Sequence, residues 1–162
     1  MFRRPVATDG PAISGLIADC PPLDPNSAYC NLLQCTDFAD SCIVAEYGGA
    51  LVGWVSGYRP PAARENFFVW QVAISPAARG QRLAGRMIQA LLARPQQAGV
   101  THLTTTITPD NRASWALFEG LARRWNAPFA KAARFERDAH FAGAHATEWQ
   151  AQIGPLPQSA RP

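Results

Sequence analysis

The run Arg79-Gly80-Gln81-Arg82-Leu83-Ala84 places two guanidinium groups and a glycine between an apolar strand pattern and an amphipathic helix pattern. A helix that starts there points unpaired backbone N–H groups into the preceding turn, and with the arginines beside them these groups suit an anion such as a phosphate. Arg79, Arg82 and Arg86 recur at i, i+3 and i+7, so they can share one face near that anion. A plain helix start with a solvated basic face is the alternative reading of the same residues. Cys20, Cys30, Cys35 and Cys42 show neither a Cys-x-x-Cys pair nor a histidine at ligand spacing, so no metal is expected. His102, His140 and His145 follow no catalytic spacing and read as surface residues.

The elements that must position this loop are legible around it. Phe67 to Ile74 is almost wholly aromatic or β-branched and reads as a buried central strand, stopped by Ser75 and Pro76. Met87, Ile88, Leu91 and Leu92 mark the inner face of a helix from about Gly80 to Arg94. Upstream, Phe2 to Ala7 reads as a strand. Asp9 then caps a helix bearing Ile13, Leu16 and Ile17, and Asn26 or Ser27 caps another bearing Tyr29, Leu32 and Leu33. Cys42 to Tyr47 and Leu51 to Tyr58 form a hairpin through Gly48-Gly49. Downstream, Thr101 to Thr108 is a strand parallel to the central one, and a helix begins near Asn111. Ala133 to Arg137 and Ala146 to Ile153 close the sheet. The expectation is one α/β domain over residues 2–153 with a disordered tail over 154–162.

Length and charge narrow the function classes. At 162 residues there is room for one core, and a net charge of +3 carried by scattered arginines gives no nucleic-acid footprint. No secretory signal or membrane-length apolar run is visible, and four free thiols place the chain in a reducing cytoplasm.

The run Val72-Ala-Ile-Ser-Pro-Ala-Ala-Arg79-Gly-Gln-Arg82-Leu-Ala84 resembles the pyrophosphate loop of the GNAT N-acetyltransferases, R/Q-x-x-G-x-G/A, with Arg82 where the family has its middle glycine. The resemblance implies the GNAT-type acyl-CoA N-acyltransferase fold: a mixed, mostly antiparallel sheet with a splayed parallel pair and flanking helices. It further implies acetyl-CoA as cosubstrate, with its pyrophosphate on the amides of Arg79, Gly80, Gln81, Arg82, Leu83 and Ala84 and its pantetheine paired with the backbone of Val72 and Ile74. Asn111-Arg-Ala-Ser114-Trp-Ala-Leu-Phe118 is similar to the family's N-x-x-A/S-x-x-L-Y motif, which brings Asn111, Ser114 and Phe118 to the cofactor. Phe118 replaces the tyrosine that protonates the leaving thiolate and has no proton to give, so water or the substrate ammonium must serve; core packing is its other role.

Four further segments, Pro22-Leu23-Asp24-x-Asn26-Ser27-x-Tyr29, Tyr58-Arg59-Pro60-Pro61, Phe68-Val69-Trp70-Gln71-Val72 and Thr105-Thr106-Ile107-Thr108-Pro109-Asp110-Asn111, together resemble the diaminobutyrate acetyltransferases within that family. This implies acetylation of the 4-amino group of a small diamino acid, in ectoine biosynthesis. Such a substrate needs acceptors for two ammonium groups and donors for one carboxylate. Asp24, Asn26, Ser27, Tyr29 and Trp70 are the expected substrate contacts, with Trp70 on the face of Phe68 and Val72. Glu148 is the preferred base for direct attack by the amine, ahead of Asp24 through water, and the Val72 N–H is the oxyanion donor. An acetyl-cysteine intermediate on Cys30 or Cys35 is disfavoured. Another amine substrate, and a non-catalytic acyl-CoA-binding module, stand as alternatives. Exposed apolar strands near the C-terminus allow a homodimer.

Overall fold

The computed structural model describes residues 1–157. One seven-stranded sheet has the order β1-β2-β3-β4-β5-β7-β6. β1 is Phe2–Arg3, β2 Ile43–Tyr47, β3 Ala50–Tyr58, β4 Asn66–Ile74, β5 His102–Ile107, β6 Phe129–Phe135 and β7 Glu148–Ile153. The helices are α1 Gly10–Ala18, α2 Ala28–Cys35, α3 Leu83–Leu92, α4 Arg112–Trp125 and α5 Arg137–Phe141. All neighbours pair antiparallel except β4 and β5, as the crossover through α3 requires.

Two apolar layers sandwich the sheet. On one face α1 and α2 bury Ile13, Ile17, Cys20 and Cys35 against Cys42, Val44, Trp54 and Ala73. On the other, α3 and α4 bury Met87, Ile88, Leu91, Phe118 and Leu121 against Val55, Phe67, Val69, Leu103 and Ile107. Gly53 admits this packing, since a Cβ there would lie 2.7 Å from the Met87 sulfur.

Several expectations need correction. The opening strand stops at Arg3, and residues 7–9 form a 3-10 turn, because Pro5 has no N–H for a ladder. Asp9 does not cap α1 with its side chain. Its carboxylate accepts two bonds from Arg3, at 2.7 and 2.9 Å, and one from the Val6 N–H at 2.8 Å. α2 buries Asn31, Gln34 and Cys35 rather than Tyr29 and Leu32, which are exposed. α5 had no counterpart in the sequence reading. At the C-terminus, Leu156 is buried and its N–H bonds the Thr101 carbonyl at 2.7 Å, so the chain stays on the core past residue 154; residues 158–162 lie outside those described.

Candidate active site

β4 carries the feature that builds the site. Its register to β3 runs Tyr58 to Phe68 and Gly57 to Val69, then skips Trp70 and resumes with Ser56 to Gln71 and Val55 to Val72. Trp70 is therefore the extra residue of a β-bulge, which bends the strand and shifts its side-chain parity by one. Before the bulge Phe67 and Val69 pack toward α3 and α4; after it Val72 and Ile74 do. Trp70 thus stays with Phe68 but leaves the face of Val72, contrary to simple alternation.

The bend also opens the parallel pair. β4 and β5 pair only from Asn66 to Phe68 against His102 to Thr104. At the fork the Thr105 hydroxyl takes over, donating to the Val69 carbonyl at 2.9 Å. Beyond it, the Ser75 N–H bonds Val52, so alternation sends the backbone groups of Val72 and Ile74 away from β3 and into the opening. The Ile74 carbonyl is already engaged by Arg79 Nε at 3.1 Å and the Cys20 thiol at 3.3 Å, which leaves its N–H for a ligand.

A cleft of about 300 Å³ occupies this opening. Its walls come from Val72 and Ile74, the loop and first turn of α3, the start of α4, and Cys20 to Leu23. α3 begins only at Leu83, with Arg82 at its cap in the left-handed region (φ 55°). No side chain caps it and no acidic residue stands in its first turn, so its N–H groups face the cleft as an anion site.

On the opposite face of the sheet lies a second, more acidic surface. Gln71, turned there by the bulge and buried, donates to the Asp24 carbonyl at 2.7 Å and accepts from Asn26 Nδ2 at 2.7 Å. Asn26 continues to Asn31 (3.2 Å) and Asn31 to Ser14 (2.8 Å), so buried amides fix the Asp24 loop over β4. Trp70, about half exposed, meets Tyr58 edge-on at 6.2 Å, and Tyr58 meets Phe68 at 5.2 Å, forming an aromatic wall. Glu148 opens β7 beside the end of β5. Burial pushes its carboxyl above the usual value, contact with the Thr106 side chain opposes this, and the nearby Asp24 and Asp110 charges raise it further. Among the described residues no three His, Cys, Asp or Glu side chains gather as a metal site.

Residues 12–122 match the acetyltransferase (GNAT) family. The L-2,4-diaminobutyric acid acetyltransferase of Methylotuvimicrobium alcaliphilum is 50% identical over 155 residues, covering 96% of this chain and 90% of that one. The protein of the same name from Halomonas elongata is 49% identical over 156 residues, covering 96% and 81%. The chain belongs to the diaminobutyric acid acetyltransferases of the GNAT family. A solved diaminobutyrate acetyltransferase from Paenibacillus lautus, in complex with L-2,4-diaminobutyric acid and coenzyme A, superposes with a TM-score of 0.90 at 37% identity, covering 96% of this chain and 94% of that one.

The cleft gathers Val72, Ile74, Arg79, Gly80, Arg82, Leu83, Ala84, Asn111 and Ser114, all expected at the cofactor. Gln81 is exposed and does not line it. Phe118 packs into the core with 3% exposure and does not line the cleft. Arg86 stacks over Phe2 at 5.6 Å rather than sharing the anion site, since the helix starts three residues later than Gly80. Asn111 spends its side-chain oxygen capping α4, accepting from the Ser114 N–H at 3.1 Å.

On the acceptor side, Asp24, Trp70 and Glu148 share one face. Asn26 is an internal strut, Ser27 caps α2 by accepting from the Cys30 N–H, and Tyr29 is 70% exposed. The sequence reading missed Gln71, whose amide looked like an ordinary strand residue, and Cys20, which lines the cleft beneath Arg79. Of the two thiols weighed as acyl carriers, burial pushes Cys30 up and Cys35 up to about 11, which disfavours a thiolate at either.

Proposed function

We propose that this chain transfers the acetyl group of acetyl-CoA to the 4-amino group of L-2,4-diaminobutyrate, giving N4-acetyl-L-2,4-diaminobutyrate in ectoine biosynthesis. The observation that carries the reading is the two-sided opening at the β4 bulge. An anion-binding helix start and free strand N–H groups lie on one side, and the Asp24 and Glu148 carboxylates lie on the other. Mass spectrometry of the product from diaminobutyrate and acetyl-CoA tests it. A 4-N-acetyl product is expected, and acetylation at the 2-amino group or no reaction overturns it.

In this mechanism the α3 N-terminus, Arg79 and Arg82 hold the phosphates of acetyl-CoA, while the Ile74 N–H and the Val72 carbonyl align its pantetheine arm. Asp24 receives an ammonium group against the Trp70 wall. Glu148, made more basic by burial, removes the proton from the attacking amine, and the Val72 N–H donates to the oxygen that gains charge as the thioester is attacked. Phe118 cannot return a proton to the thiolate; water or the ammonium proton does so. Most of the acceleration then comes from holding both substrates in register across the fork.

The four free thiols support a reducing cytoplasm as the site of action. Strand β6 is at the sheet edge and exposed at all but its first residue, which supports pairing with a second copy of this chain.

A further inference from the structure

The substrate assigned above carries a carboxylate as well as two amines, and the acceptor face described so far offers that carboxylate only Asp24 and Glu148, both of its own sign. A binding site for an amino acid with this charge pattern needs a fixed cation, set a few ångströms from the base. Several other cations already have a place of their own. Arg79 and Arg82 line the cofactor cleft, Arg59 bonds the carbonyls of Arg64, Gln96 and Ala98, and Lys131 stacks over Trp115.

Arg134 is placed differently. The β6–β7 register skips it between Ala133 and Phe135, so it is the extra residue of a second bulge, directly beside the pair formed by Phe135 and Glu148. Its guanidinium carbon lies 5.3 Å from the Phe68 ring centroid and 5.1 Å from that of Phe135, and Nη1 donates to the Gln150 side chain at 3.3 Å. Gln150 in turn stands opposite Thr106, whose side chain contacts Glu148. Phe68, Tyr58 and Trp70 continue the same wall toward Asp24. Among the described residues no carboxylate lies within ion-pair distance of Arg134. An exposed arginine within about 5 Å of two ring faces, with an amide on one nitrogen and no carboxylate partner among the described residues, is available to a planar anion.

We propose that Arg134 binds the α-carboxylate of the amino-acid substrate and is the residue that selects a diamino acid over a simple diamine. The proposal rests on the diaminobutyrate reading of the same site. The geometry suits it: the guanidinium reaches back over the sheet to Phe68 and Gln150, on the face that carries Glu148, and an extended four-carbon diamino acid spans about 5 Å between its 4-nitrogen and its carboxylate carbon. A substrate with its 4-amine at Glu148 therefore brings its carboxylate to the Arg134 end of the wall, leaving the 2-ammonium group near Trp70 and Asp24.

The test compares L-2,4-diaminobutyrate with 1,3-diaminopropane, which keeps both amines and lacks the carboxylate, in the full-length enzyme and in Arg134→Met, which retains the apolar stem over Phe68. Each amine is measured as substrate and as competitive inhibitor of the other. Losing a charge-assisted bidentate contact lowers kcat/KM for diaminobutyrate about 10- to 100-fold, chiefly through KM. The constant for diaminopropane changes about 3-fold or less, and Arg134→Lys recovers part of the loss. An equal loss for both amines means that Arg134 only supports the wall and overturns the proposal, as does an unchanged diaminobutyrate constant. If the unaltered enzyme acetylates no diaminobutyrate, the substrate reading beneath the proposal fails instead, which is a separate outcome.

Discussion

In the proposed mechanism Glu148 carries the proton transfer. Burial, with the Asp24 and Asp110 charges, raises its carboxyl above the ordinary value, which makes it a stronger base than a carboxylate in water. Glu148→Gln is expected to lower kcat by about 10²- to 10⁴-fold and to abolish the acid limb of the rate profile, as read by steady-state kinetics across pH. The same shift has a stability consequence. Because the folded pKa is raised, the contribution of Glu148 to folding is fully present below its unfolded value and is lost as pH rises through the folded value. Glu148→Gln should therefore unfold at a higher temperature than the parent at pH 8 and at the same temperature near pH 4. An unchanged rate profile would remove Glu148 from the base role. Phe118, buried on the other face, has no part in proton transfer, and its truncation to alanine is a core cavity rather than a catalytic loss.

At the scale of elements, two local distortions create the site. The bulge at Trp70 turns Gln71 inward, and Gln71 holds the Asp24 loop through bonds of 2.7 Å. Gln71→Met preserves volume and removes both bonds, so KM for diaminobutyrate should rise about 10-fold while that for acetyl-CoA stays within error. In an Asp24→Asn background the same change should add nothing, since the two act through one contact. Full additivity in that double-mutant cycle would separate the clamp from Asp24. The second distortion is Arg82 at φ 55°, where an L side chain is strained by about 1–2 kcal/mol. Arg82→Gly relieves that strain and should stabilise the fold by about 0.5–1 kcal/mol after glycine's larger unfolded-state entropy. It also removes a cation from the cleft, so calorimetry should show weaker coenzyme A binding with a smaller salt dependence. Tighter binding would show that the Arg82 side chain obstructs the phosphates.

Across the whole molecule, the sheet divides labour. α3 and α4 cover one face and line the cleft, while the loop between α1 and α2 presents Asp24 on the other, so in the proposed mechanism the two substrates approach from opposite sides and meet at the fork. The edge strand β6, which carries Arg134, remains exposed. Sedimentation should give twice the chain mass, and a monomer at all concentrations would remove the homodimer from the proposed assembly.

The sequence by itself determined the succession of elements along the chain, the hairpin at Gly48-Gly49 and the strand-turn-helix of the anion loop, because these rest on local periodicity and on short contiguous motifs, while the class of cofactor came from the family resemblance of that loop. It also brought Asp24, Trp70 and Glu148 forward as candidates, through segments far apart in the chain. The tertiary structure alone decided which face each residue took. A bulge adds one residue to a strand and reverses every side chain beyond it, so Trp70 and Val72 part company without any signal in the alternation. Phe118 went to the core and Asn26 to a buried network for the same reason: the partners that claim a side chain come from other elements, and no spacing within a single segment records them.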